Sequence, residues 1–282
     1  MEFRPPTPED ADAIVALLIA CDIHDFHQPD YDHDALRDEW ATPGFDRERD
    51  AVLAEDAYGL LLGTQGRGWV RPQARGAGLE EALAERLEVR ARERGLPHID
   101  RQVPRSETHH RAVLEARGYE LVRSYAELRI PDRAVASLPH GEVRPYDPER
   151  DAGAVQALME EAFAQGAGRL EPLDVVLARV PDTTLWFVAD AAEGGLAGAI
   201  RADLRAAGLI TGYVSQVATA PAHRGHGIGS ALLGAAAREM VGRGAALVRL
   251  HVRSSNPAAL RLYQRLGFTG DWQADELRLS LR

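Results

Sequence analysis

Between Thr183 and Ala220 the apolar residues fall in three short blocks, "TTLWFVADA" (183–191), "LAGAIRADL" (196–204) and "LITGYVSQVATA" (209–220). Their length and their β-branched and aromatic content predict strands, the first two joined by a turn at Glu193-Gly194-Gly195. Pro221 stops the third strand, and from about Gly227 to Val241 the apolar positions take on helical spacing. "AALVRLHV" (245–252) reads as another strand, Asn256-Pro257 as the start of a short helix to about Leu266, and the remainder to Leu281 as strand. Ahead of these, Asp147-Pro148-Glu149 supplies an N-cap, a proline at the first helical position and an early acid, predicting a helix to about Phe163. Strands interleaved with helices imply an α/β (α+β) domain whose helices pack on a mixed sheet.

The pattern occurs twice. Slid by 149 positions, residues 68–128 lie over 217–277 without a gap: Pro72 meets Pro221, Arg75 meets Arg224, Gly76 and Gly78 meet Gly225 and Gly227, and Gly118-Tyr119 meets Gly267-Phe268. "FRPPTPEDADAIVALL" (3–18) echoes "VRPYDPERDAGAVQALM" (143–159) at an offset of 140. A self-similarity of this length is a tandem duplication rather than a solenoid. "PDRAVASLPHG" (131–141) has linker composition. The expected organisation is a first domain over 1–133, a linker over 134–141 and a second domain over 142–282.

Composition narrows the function. With 45% apolar and 27% charged residues the chain is an ordinary soluble globular sequence. The N-terminal "MEFRPPTPEDADA" lacks a basic and then apolar leader, and no apolar run reaches membrane-spanning length, so a cytoplasmic protein without membrane partners is expected. All 33 basic side chains are arginine and the net charge is −10, which disfavours nucleic acid and mildly favours cationic substrates such as amines. Without lysine there is no P-loop. The lone Cys21 reads as a buried thiol. "CDIHDFHQPDYDHD" (21–34) brings His24, His27 and His33 among five aspartates, but the spacing fits no standard zinc pattern; a solvated polar loop and no metal site are expected.

The loop "HRGHGIGS" (223–230) carries the chemistry. Amides at a helix start have no intrahelical partner and sit at the positive end of the helix dipole. Gly225, Gly227 and Gly229 remove the Cβ atoms that would keep a ligand from those amides, and Arg224 adds charge, so the loop suits a phosphate or diphosphate. The alternative is a tight turn with close helix–strand packing. A dinucleotide-binding G-x-G-x-x-G is excluded, because position 230 is serine and the loop follows a third strand rather than a first.

Arg224-x-x-Gly227-x-Gly229 after a strand ending in Ala-Pro, together with "NPAALRLYQRLGF" (256–268), resembles the coenzyme A signature of the GNAT acyltransferase superfamily, and the repeat extends the resemblance to its tandem members. The resemblance implies two tandem GNAT-like domains, each a mixed, mostly antiparallel sheet flanked by helices, with acetyl-CoA as co-substrate. It implies that Val217, Ala218 and Thr219 line the pantetheine arm, that Arg224, Gly225, His226, Gly227, Ile228, Gly229 and Ser230 cradle the diphosphate, and that Asn256 contacts the pantetheine. Asn256 is equally an ordinary N-cap. Tyr263 would protonate the departing thiolate as a general acid, its alternative being a core aromatic. The expected reaction is acetyl transfer to the primary amine of a small molecule in the second domain, by a monomer or homodimer; protein N-acetylation and non-catalytic acyl-CoA sensing are the alternatives. Many family members place a carboxylate base early in the strand before the loop. Here that strand offers Thr211, Tyr213, Ser215 and Gln216, leaving Glu160, Glu161, Glu171, Asp203 or a water chain as bases, and His251 open to either the core or the substrate.

The first repeat has exchanged these residues: Gly229 is matched by Glu80, Ser230 by Glu81, Asn256 by Glu107 and Tyr263 by Leu114. Two carboxylates at a helix start satisfy the dipole and repel a diphosphate. The first repeat is therefore expected to be a degenerate module that does no chemistry.

Overall fold

A computed structural model describes residues 2–26, 29, 31–163, 183–207, 209–270 and 272–281. The chain forms two compact units, one of Met1–Ala126 with Arg253–Ser255 and Asp271–Arg282, the other of Glu127–Val252 with Asn256–Gly270.

In the first unit α1 (Ala11–Phe26) and α2 (His33–Trp40) precede α3 (Arg47–Asp50) and the strands β1 (Ala51–Ala54), β2 (Ala57–Leu62) and β3 (Gln65–Val70). Then come α4 (Leu79–Glu93), β4 (His98–Pro104), α5 (Thr108–Ala116) and β5 (Glu120–Pro131), whose residues from Glu127 on belong to the second unit. Ile14, Val15, Leu17, Leu18 and Cys21 recur at helical spacing on α1 and pack with Leu36 against Leu53, Tyr58 and Leu60. The Cys21 thiol donates to the Val70 carbonyl at 3.3 Å, and burial raises its pKa to about 11, so it is the structural thiol the sequence suggests.

The second unit holds α6 (Asp132–Val135), β6 (Arg144–Pro145), α7 (Pro148–Phe163), β7 (Thr184–Asp190), β8 (Leu196–Ala207), β9 (Leu209–Thr219), α8 (Ile228–Gly242), β10 (Leu247–Arg253) and α9 (Pro257–Arg265). Neighbouring strands run in the order β10-β9-β8-β7-β6, antiparallel except for β10 with β9. On one face Val155, Leu158 and Met159 of α7 pack on Trp186, Val188, Ala199 and Ala218. On the other face α8 lies so close that a Cβ at Gly198 would meet the Ile228 and Leu232 side chains at 2.8 and 2.9 Å, and one at Gly212 would meet the Met240 sulfur at 2.5 Å.

The repeat holds at the level of elements. Displaced by 149, α4 falls on α8, β4 on β10 and α5 on α9, residue for residue. The last strand, β11 (Gln273–Ser280), belongs to the first unit, where it pairs antiparallel with β4 (Leu277↔Arg101) and with β5 (Gln273↔Ala126). Leu277 is fully buried among Leu61, Leu87, Ile99 and Leu114. Asp275 is buried with Arg105 at 3.0 Å and the Ser124 hydroxyl at 2.5 Å, and Arg278 forks onto Asp100 at 2.6 and 3.0 Å. The packing units thus cut the chain differently from the sequence division at 134–141.

The polar stretch 21–34 departs from expectation over the residues described. His24 and Asp25 complete α1, and Asp32 caps α2 by accepting the Ala35 amide at 2.8 Å. The cause is distant in sequence: Arg75 forks onto Asp25 at 2.8 and 2.9 Å.

Candidate functional site

The site builds from β9 outward. β9 pairs with β8 through Val217↔Ile200, Ala218↔Ala199 and Thr219↔Gly198. Arg201 faces Gln216 while Ala202 faces Val214, so Ser215 is an extra residue, a β-bulge that bends the strand. On its other edge β9 pairs in parallel with β10 from Leu247↔Thr211 to Leu250↔Val214; both strands continue past that pair, to Thr219 and Arg253. The bulge and the last parallel pair fall at the same level, where the two strands part.

Past Thr219 a 3-10 turn at Pro221–His223 leads into the glycine loop. Gly225 and Gly227 adopt φ +82° and +81°, a region costly for a side chain, and a Cβ at either would meet nothing within 4 Å. The backbone here is bare and open. Gly227 is the N-cap of α8, with no side-chain cap, so Ile228, Gly229 and Ser230 form the first turn. The Arg224 side chain crosses the loop and donates to the Thr219 carbonyl at 3.3 Å. Amides at such a helix start carry partial positive charge and suit an acceptor of negative charge.

Asn256 caps α9 by accepting the Ala259 amide at 3.1 Å, which leaves its side-chain NH2 to donate elsewhere. Tyr263, on the same helix, is buried beside Phe268 with ring centroids 6.0 Å apart. Burial raises its pKa to about 12, so the hydroxyl keeps its proton at any physiological pH. Of the carboxylates considered as bases, Asp203 accepts from the Thr184 hydroxyl at 2.7 Å and Glu160 from the Gln156 amide at 2.9 Å, while Glu171 and the segment to Arg179 lie outside the described residues. His251, left open by the sequence, bridges two partners: its Nε2 lies 3.1 Å from Glu127 Oε2 and its Nδ1 3.4 Å from the Tyr213 hydroxyl. Sequence spacing could not have joined Glu127 to it across 124 residues.

The equivalent loop of the first unit has the same backbone and opposite chemistry. Gly76 and Gly78 adopt φ +78° and +87°, and Arg75 Nε donates to the Val70 carbonyl at 3.1 Å, as Arg224 does to Thr219. The buried Glu80 carboxylate accepts the Gly76 amide at 3.1 and 3.3 Å, occupying the cradle that its counterpart leaves open. Arg75 is further paired with Glu107, the counterpart of Asn256, and Leu114, the counterpart of Tyr263, is a core residue. His24, Asp25 and Glu107 approach one another as metal ligands might, but the Arg75 guanidinium already supplies their cation. Arg101, fully buried, stretches past Gly66 and Gly68 toward His110, its Nη2 3.2 Å from His110 Nε2. Desolvation first, and Arg101 second, lower the His110 pKa to about 3.

Residues 156–268 match the model of the acetyltransferase (GNAT) family. A mycothiol acetyltransferase of Actinosynnema mirum is 34% identical over 80% of this chain and 80% of its own length. Another, of Streptomyces griseus subsp. griseus, is 28% identical over 86% and 78%. Among solved structures, a GCN5-related N-acetyltransferase from Sphaerobacter thermophilus superimposes with TM-score 0.80 and 26% identity over 100% of this chain and 96% of that one. A tandem GNAT protein from the clavulanic acid biosynthesis pathway does so with TM-score 0.73 and 17% identity, over 100% and 98%. The chain belongs to the GNAT acetyltransferase family and is an N-acetyltransferase of the tandem type. No helix among the described residues is long and apolar enough to cross a membrane.

Proposed function

We propose that the protein transfers the acetyl group of acetyl-CoA to the primary amine of a small molecule, and that the chemistry takes place in the second repeat. The observation that carries this reading is the contrast between the two loops: one cradle holds its own carboxylate, Glu80 on the Gly76 amide, and the other is bare at Gly225 and Gly227. Relatives named as mycothiol acetyltransferases over most of their length support a small-molecule acceptor.

Acetyl-CoA, when bound, supplies an activated acyl thioester. The amides from Gly225 to Ser230 and the Arg224 guanidinium would hold its diphosphate. Val217, Ala218 and Thr219 lie on the β9 segment beyond the parting of the strands, where main-chain groups can align the pantetheine and polarise the carbonyl. The NH2 of Asn256 can donate to the same arm while its oxygen caps α9. Tyr263, protonated and buried, can give its proton to the thiolate that leaves. Incubating the protein with acetyl-CoA and a panel of small amines, with thiol release as the readout, tests the reading; release that no amine stimulates would oppose it.

A further inference from the structure

His251 carries an arrangement that neither the fold nor the coenzyme loop requires. Gly212 faces α8, so by strand alternation Tyr213 points to the opposite face of the sheet. On β10 the buried Val248, Leu250 and Val252 alternate with Arg249 and His251, which share Tyr213's face: the Tyr213 and His251 rings meet edge to face at 5.5 Å, and the Arg249 guanidinium lies 5.9 Å from the Tyr213 ring. His251 follows Leu250, the last residue of β10 in parallel register with β9, and so stands where the strands part. Its side chain is 30% exposed, open to a solute, while that of Glu127 is only 10% exposed. Arg249 Nη1 lies 3.8 Å from the same Glu127 oxygen. The Arg205 guanidinium also lies over the Tyr213 ring, 4.2 Å from its centroid.

A carboxylate on one ring nitrogen fixes the tautomer: Nε2 carries the hydrogen and donates it to Glu127, leaving the Nδ1 lone pair toward the Tyr213 hydroxyl, 3.4 Å away. We propose that His251 is the general base of the transfer, accepting a proton from the substrate ammonium at Nδ1, and that Glu127 is its positioning residue. The assignment rests on the transferase reading above. The ammonium gives one proton to Nδ1, and the freed nitrogen pair forms the C–N bond as the C–S bond breaks. Tyr263 protonates the leaving sulfur and recovers its proton from the new amide nitrogen, and His251 returns the first proton to solvent. Atoms and charge balance to one amide, one thiol and one released proton. This supplies the base that the strand residues Thr211, Tyr213, Ser215 and Gln216 do not.

The test uses the full chain with an amine that the wild type acetylates. H251A should lower kcat/KM roughly 10²-fold while leaving acetyl-CoA affinity by calorimetry unchanged, and free imidazole should restore part of the rate. H251Q, which fills the same space, should lose as much. Nitrogen-15 NMR of the imidazole, read without substrate, should show the Nε2-protonated tautomer in the wild type and a mixture in E127Q. Wild-type rates in H251A and H251Q, a loss that imidazole leaves untouched, or an Nδ1-protonated ring would each overturn the assignment. A wild type that binds acetyl-CoA and acetylates no amine would instead overturn the transferase reading on which it stands.

Discussion

Glu80 accepts the Gly76 amide at 3.1 Å, so the first repeat carries within its own sequence an anion for the helix start that its twin leaves bare. The carboxylate is buried, and its loss would strand that amide. Charge-assisted bonds of this kind contribute about 1.5–3 kcal/mol. Glu80→Ala should lower the unfolding free energy by about that much and shift the denaturant midpoint down accordingly, and Glu80→Gln should recover part of it. An unchanged midpoint in Glu80→Ala would show that the bond does not hold the loop.

Tyr263 has a different signature. Tyr263→Phe keeps the ring against Phe268 and removes only the proton, so kcat should fall roughly 10²-fold with little change in acetyl-CoA affinity or melting temperature. With a pKa near 12 the wild-type hydroxyl stays protonated, so the rate should not decline through Tyr263 ionisation below about pH 11. Loss of affinity in Tyr263→Phe without loss of kcat would make it a binding residue.

His110 makes stability depend on pH. Its pKa falls from 6.5 to about 3 on folding, so between those values the unfolded chain binds the extra proton. Stability is full above pH 6.5 and declines as pH falls toward 3, by about 1 kcal/mol at pH 5.5. Chemical denaturation at pH 7.5 and 5.5 should show the decline in the wild type and a shallower one in His110→Phe. Equal slopes would place the acid sensitivity elsewhere.

Truncation after Gly270 removes the strand that lies between β4 and β5. It also deletes the buried Leu277 and leaves Arg105 and Arg111 without Asp275. Hydrogen exchange should show β4 and β5 losing protection while β8 and β9 keep theirs. Protection retained in β4 would mean that β11 is dispensable.

Much of this was legible in the chain. The offset of 149 carries α4 onto α8 and α5 onto α9 because a duplication preserves both apolar spacing and turn glycines. The electrostatic argument at Glu80 was legible too, since a carboxylate one residue into a helix has a nearby donor to find. What escaped is what depends on partners far along the chain. A strand's pattern says that it pairs, not with what, so the destination of β11 beside β4 was invisible. Arg75 and Asp25 are 50 residues apart, and their ion pair extends α1 through a stretch whose composition reads as loop. Glu127 and His251 meet only because the fold brings their strands together.

Calorimetric titration of the full chain with acetyl-CoA, in the wild type and in Gly229→Glu, tests the central claim most directly. That substitution writes the first repeat's carboxylate into the second, and its Cβ would meet only Thr219 Oγ1, at 3.4 Å, so the fold should tolerate it. Like charges a few ångströms apart cost about 1 kcal/mol or more. The account predicts one equivalent bound by the wild type and an affinity lowered at least ~10-fold in Gly229→Glu. Two equivalents, or a variant that binds as tightly as the wild type, would contradict it.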